Sequence, residues 1–102
     1  MTKAYIEEYA FMAQAGLGQI FQAGTQPPVT TPQVVDYTSG AAASAAFNAK
    51  TNFIRVHVDS ICSYRVSTAG TAATTSYSRM AANQTEYFAV QPGDKINFIT
   101  NT

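Results

Sequence analysis

The sequence predicts an all-β protein, an antiparallel sandwich or small barrel of about seven or eight short strands with an extended N-terminal and Pro-rich arm. Three observations carry this. Polar and apolar residues alternate with period two in the centre of the chain. Turn signals recur at roughly the 8–12-residue spacing of such folds. Pro27, Pro28 and Pro32 forbid helix where the N-terminal third would otherwise be ambiguous. With 102 residues the chain forms one domain. A chain of this size buries roughly 60–68% of its unfolded surface, enough for one core and little else. Residues 1–36 read as an irregular arm with edge strands, and residues 37–102 as the β core.

Ala4 to Ala13 admits a helical stripe through Tyr5, Tyr9 and Met12, and equally an alternation of Tyr5, Glu7, Tyr9 and Phe11. Strand is favoured, because Tyr and Phe suit strands and no clear N-cap precedes the run. Gly16-Leu-Gly18 is a turn signal, and residues 24–32 form an extended linker. Gln33 to Thr38 resumes as strand. Gly40 to Ala49 is expected as a strand of small side chains, although alanine itself favours helix.

Phe53 to Asp59 alternates cleanly, with Ile54, Val56 and Val58 on one side and Arg55, His57 and Asp59 on the other. Cys62, Tyr64 and Val66 share one face of the next run. A three-residue loop would pair Val58 with Cys62, Val56 with Tyr64 and Ile54 with Val66, so these two runs are expected as a hairpin. Thr68 to Ser76 is a Ser/Thr/Ala-rich surface loop. Tyr77 to Met80 makes a short strand, and Asn83-Gln84 a turn. A second hairpin is expected between Glu86–Val90 and Lys95–Ile99, with Pro92-Gly93 at the centre of a type II turn, Val90 opposite Ile96 and Phe88 opposite Phe98.

Charge is scarce. Six basic residues balance six acidic ones, whereas Ser, Thr, Asn and Gln number 32 and Ala 17; an average domain carries about twice that charged share. Such a surface hydrates weakly and favours self-association, which suggests a component of an assembly. No basic cluster offers a footprint for nucleic acid. No apolar run is long enough to span a membrane, and the N-terminus lacks the pattern of a secretory signal. The single Cys62 suits a reducing cytosol.

Little chemistry is available. His57 lies two residues from Asp59 on one strand, with Ser63 across the expected hairpin. Neighbours at i and i+2 give poor geometry for a Ser–His–Asp relay, and a polar strand face accounts for them. One Cys and one His with scattered carboxylates do not make a zinc site, and the glycines form no phosphate loop. No cofactor is expected. Phe53, Tyr64, Phe88 and Phe98 are assigned to the core and Cys62 to its apolar side. Tyr5, Tyr9, Phe11, Tyr77 and Tyr87 are candidates for contact surfaces, since Tyr is enriched at interfaces. Pro27, Pro28 and Val29 join Tyr5, Tyr9, Phe11 and Tyr77 as the predicted protein-interface residues.

The block Ser44-Ala-Ala-Phe-Asn48, the run Phe53 to Ser63, the run Arg79 to Phe88 and Pro92-Gly93 resemble small structural proteins of tailed bacteriophages, in particular capsid decoration or cement proteins. Tyr5-Ile-Glu-Glu-Tyr9 and the Pro-rich stretch to Val35 match the same pattern more loosely. The resemblance implies a non-enzymatic virion protein that binds the major capsid protein, stabilises the shell and forms a homo-oligomer, a trimer being one form. It implies assembly in the bacterial cytoplasm and residence on the capsid surface. It carries over no catalytic or metal residue. A tail, fibre or connector component, a sugar-binding β module, and a small hydrolase using His57 and Asp59 are the alternatives.

Overall fold

A computed structural model describes residues 2–14, 20–24 and 27–101, with side chains described at 2–11 and 27–101. The expected turn at Gly16-Leu-Gly18 lies outside the described residues, as do residues 25 and 26 of the linker. Two four-stranded antiparallel sheets face each other. The first contains β4 (Gln33–Asp36), β1 (Lys3–Tyr9), β6 (Phe53–Val58) and β9 (Thr85–Ala89), in that order. The second contains β5 (Ala42–Ala43), β10 (Lys95–Thr100), β7 (Cys62–Ser67) and β8 (Arg79–Met80). A separate ladder joins β2 (Met12–Gln14) to β3 (Ile20–Gly24) and pairs with neither sheet. The all-β sandwich predicted from the sequence is therefore present.

Between β4 and β10 the chain changes sheet at every connection except β7–β8. Counting cyclically from β4, with β1 as the eighth strand, the sheets read 1-8-3-6 and 2-7-4-5. This is the strand order of a jelly roll. The strand that closes it comes from the N-terminal segment. Residues 1–36 are therefore more than an arm with edge strands, because β1 occupies a central place between β4 and β6. Its Ala4 and Ile6 are fully buried, which holds the strand there.

Neither expected hairpin forms. The strand β6 pairs with β1 and β9, while β7 pairs with β10 and β8. Likewise β9 lies beside β6, and β10 lies in the opposite sheet. The predicted inward face of Ile54, Val56, Val58 and Cys62 is correct, and the predicted neighbours are not. Period-two alternation says which side of a strand is buried, and it reads the same whether the next strand lies alongside or across the core. The link at Asp59–Ile61 spans the gap between sheets, roughly 10 Å in such sandwiches. Both turn signals survive with that altered role. Gly93 has φ +86°, and the amide of Asp94 donates to the carbonyl of Gln91 at 3.1 Å. Asn83 adopts φ +61°, and the amide of Gln84 donates to the carbonyl of Ala81.

The core is formed by Ile6, Ile54, Val56, Val58, Ile96 and Phe98 with Tyr37, Phe47, Cys62 and Met80. Tyr37 stacks on Phe98 with centroids 5.8 Å apart and donates its hydroxyl to the carbonyl of Ser60 at 2.6 Å. Tyr64 and Phe88 pack against this cluster from its margin, centroids 4.6 Å apart. The expected strand at Gly40–Ala49 shrinks to Ala42–Ala43. Beyond it Phe47 turns into the core, its amide donating to Asp94 and its carbonyl accepting from Gly93. Cys62 is fully buried, and burial pushes its thiol above the ordinary value. Ellman's reagent is therefore expected to react with Cys62 only as fast as the protein unfolds, with a rate that rises with urea. Immediate stoichiometric labelling of the native protein would contradict this packing.

The two ends of the sandwich differ. At one end, the Lys3 carbonyl accepts from the Asp59 amide, and the Asn101 amide donates to the Ile61 carbonyl. At the other end lie the turn 91–94, the loop 44–52, the Pro-rich segment and the base of the β2–β3 hairpin. The molecule measures 45 × 25 × 22 Å. Strands of six or seven residues cover only about half of that length at roughly 3.4 Å per residue.

Candidate docking surface

The outer faces of the two sheets are treated differently by the chain itself. On the second sheet, outward Ser63 and Asn97 are both buried, because the loop 68–78 lies flat across them. Its Ala73 amide donates to Asn97 Oδ1 at 2.9 Å, and Asn101 Nδ2 donates to Ser63 Oγ and to the Thr75 carbonyl. Tyr77 sits over Arg65, with the guanidinium carbon 4.9 Å from the ring centroid. The segment expected as a surface loop is thus a cover, and Ala73 within it is buried.

The first sheet keeps its outer face open over much of its area. Register places the outward residues in rows across the strands. Val34, Tyr5, His57 and Thr85 form one row, and Glu7, Arg55 and Tyr87 the next. Tyr9, Phe53 and Ala89 form the last. Val34 is 55% exposed and Tyr5 39% exposed. The Arg55 guanidinium lies 3.7 Å from Glu7 Oε1, which also accepts the Tyr9 hydroxyl at 2.7 Å. His57 Nδ1 lies 2.8 Å from Thr85 Oγ1. At the margin of this face, two hydrogen bonds from Thr38 hold the Asp36 carboxyl below its ordinary value.

The predicted interface residues do not converge on one surface. Tyr5 is central to the open face. Tyr9 is only 1% exposed and is corrected from the contact set. It stacks on Phe53 at 5.4 Å, and Phe53 meets Tyr87 at 6.2 Å. This aromatic row also moves Phe53 out of the main core, where it was expected, onto the outer side of the sheet, where it is still buried. Phe11 is 72% exposed, just before the hairpin. Pro27 is exposed, while Pro28 and Val29 are half-buried, and the Val29 amide donates to the Glu8 carbonyl at 2.9 Å. The Pro-rich stretch is therefore tied back to β1 and is not a free arm. Tyr77 lies on the far side of the molecule, on the covering loop. Val34 was missed: Val34 and Val35 are adjacent and identical, and alternation alone cannot say which one faces out.

The serine considered for catalysis stands apart from the histidine. His57 engages Thr85, and buried Ser63 belongs to the other sheet. Among the described residues no group of three His, Cys, Asp or Glu side chains clusters to hold a metal ion. Among the same residues no helix is long and apolar enough to cross a membrane. No protein-family model, curated protein or solved structure matches this chain.

Proposed function

We propose that this chain is a non-enzymatic structural protein of a phage particle, which docks on the major capsid protein and reinforces the shell. One observation carries the reading: the chain covers the outer face of its second sheet and leaves that of the first open, with Tyr5 and Val34 exposed. The absence of any charged residue between Glu8 and Asp36, a stretch that includes the β2–β3 ladder, supports the same reading. Uncharged chain loses little hydration on contact, and tyrosine is favoured at interfaces. A standard interface of about 1,600 Å² would hold each copy, and repetition over a symmetric lattice multiplies a modest energy. Low net charge also favours contact between copies of the chain.

The test is incorporation into particles. Tyr5→Asp combined with Val34→Asp changes two exposed positions that face each other across β1 and β4; opposed carboxylates cost up to about 1 kcal/mol, a loss small against a domain's stability of about 5–15 kcal/mol. Two carboxylates buried unpaired against a partner cost at least about 2 kcal/mol, so occupancy per particle is expected to fall by roughly tenfold or more. Normal occupancy of a folded double variant would overturn the docking face. A cryo-electron map of the particle addresses the main alternative, because copies at the tail, fibre or connector would replace the shell reading. A sugar-binding platform has less support, since Tyr9 and Phe53 are buried in their own row.

A further inference from the structure

We propose that a cleft above Glu8 is a binding site for the ammonium head of a lysine side chain presented by a partner protein. Glu8 is 1% exposed. Its carboxylate receives the Asn48 amide at 2.7 Å and the Thr51 hydroxyl at 2.8 Å on Oε1, and Gln33 Nε2 at 3.0 Å on Oε2. All three donors are neutral. Among the described residues no lysine, arginine or histidine forms an ion pair with it, and the one ion pair there joins Arg55 to Glu7. A carboxylate offers about four acceptor positions, so Oε2 keeps one. Buried charges in proteins are ordinarily paired, and the described residues supply no counter-charge here.

Glu8 forms part of the wall of an open cleft of about 230 Å³. Thr30, Thr31 and Asn48 give it polar walls, and Ala45 and Ala46 give it a short apolar side. Gln33 is fixed at both ends of its amide: Oε1 accepts from the Ala45 amide at 2.8 Å while Nε2 donates to Glu8. The site is therefore built before anything enters it. A compact ammonium with three donors suits one free carboxylate lone pair flanked by hydroxyls, and an aliphatic stem suits the alanines. The cleft lies at the end of the sandwich where the Pro-rich segment meets β1. The inference stands apart from the capsid reading, because its probe is a free amine.

The experiment is a titration of the full chain with n-butylammonium, followed by amide chemical shifts, with n-butanol as the neutral control. Saturable shifts at Thr31, Ala45, Ala46 and Asn48 are expected with the amine and not with the alcohol. Glu8→Gln is expected to weaken binding by roughly tenfold or more, as befits loss of a charge-assisted contact. Ala46→Phe fills the cleft from an exposed position while keeping Glu8, and is expected to abolish the shifts even if Glu8→Gln fails to fold. Shifts that never saturate, equal shifts with n-butanol, or undiminished binding in either folded variant would overturn the site. Tighter binding of N-ethylguanidinium than of the amine would overturn the choice of lysine.

Discussion

Phe98→Ala is expected to remove about 3–5 kcal/mol of stability, the range for emptying a buried aromatic site. Phe98 is fully buried on β10, and its ring stacks on Tyr37 at 5.8 Å. Both sheets contribute to the cluster around it, which includes Ile6 and Val56 from the first and Ile96 and Cys62 from the second. Neither sheet can move in to fill the space without losing register with its own neighbours. Total stabilities for domains are only about 5–15 kcal/mol, so much of the margin goes. Thermal unfolding should report a fall in Tm of roughly 15 °C or more, and Phe98→Leu should lose much less. A shift of only a few degrees for the alanine variant would mean that the two sheets do not meet at this ring.

Glu8→Ala is the second large effect. The carboxylate ties β1 to three distant points: Gln33 at the start of β4, and Asn48 and Thr51 in the loop that leads into β6. Its removal strands the buried Thr51 hydroxyl and the Asn48 amide together. Each unsatisfied group costs about 1–3 kcal/mol, and a total loss of roughly 2–6 kcal/mol is expected. The damage should be local as well as global. Amide exchange at Asn48 and Thr51, and proteolysis near Lys50, should speed up more than exchange at Val56. Uniform acceleration across the protein would show that the carboxylate does not secure this loop in particular.

These two residues also show what the sequence reveals. Phe98 was legible, because Ile96 and Phe98 alternate with polar neighbours and large apolar residues on an alternating run belong inside. Glu8 was not. A carboxylate beside another carboxylate looks like solvated surface, and its three donors lie 25, 40 and 43 residues away. The strand identity of the N-terminal run was readable from Tyr5, Glu7 and Tyr9, but its central position depends on β4 and β6 arriving on either side. The two supposed hairpins failed for a related reason. Short turns such as Pro92-Gly93 fix where a chain reverses and leave open whether it returns beside itself or crosses the core. The exposed set was half legible: Tyr5 was found, while the burial of Tyr9 depends on its stack with Phe53, which no local pattern encodes.

The hydrogen bonds of Lys3 and Asn101 to the same short link at Asp59–Ile61 make the domain suitable for grafting. Joined within a surface loop of an unrelated host, it would enter and leave at one spot, and the host's cut ends would not be pried apart. The opposite pole, with the uncharged β2–β3 ladder, would then point away from the host. A display scaffold built this way would present that pole at a fixed distance, set by the length of the sandwich and not by a flexible tether.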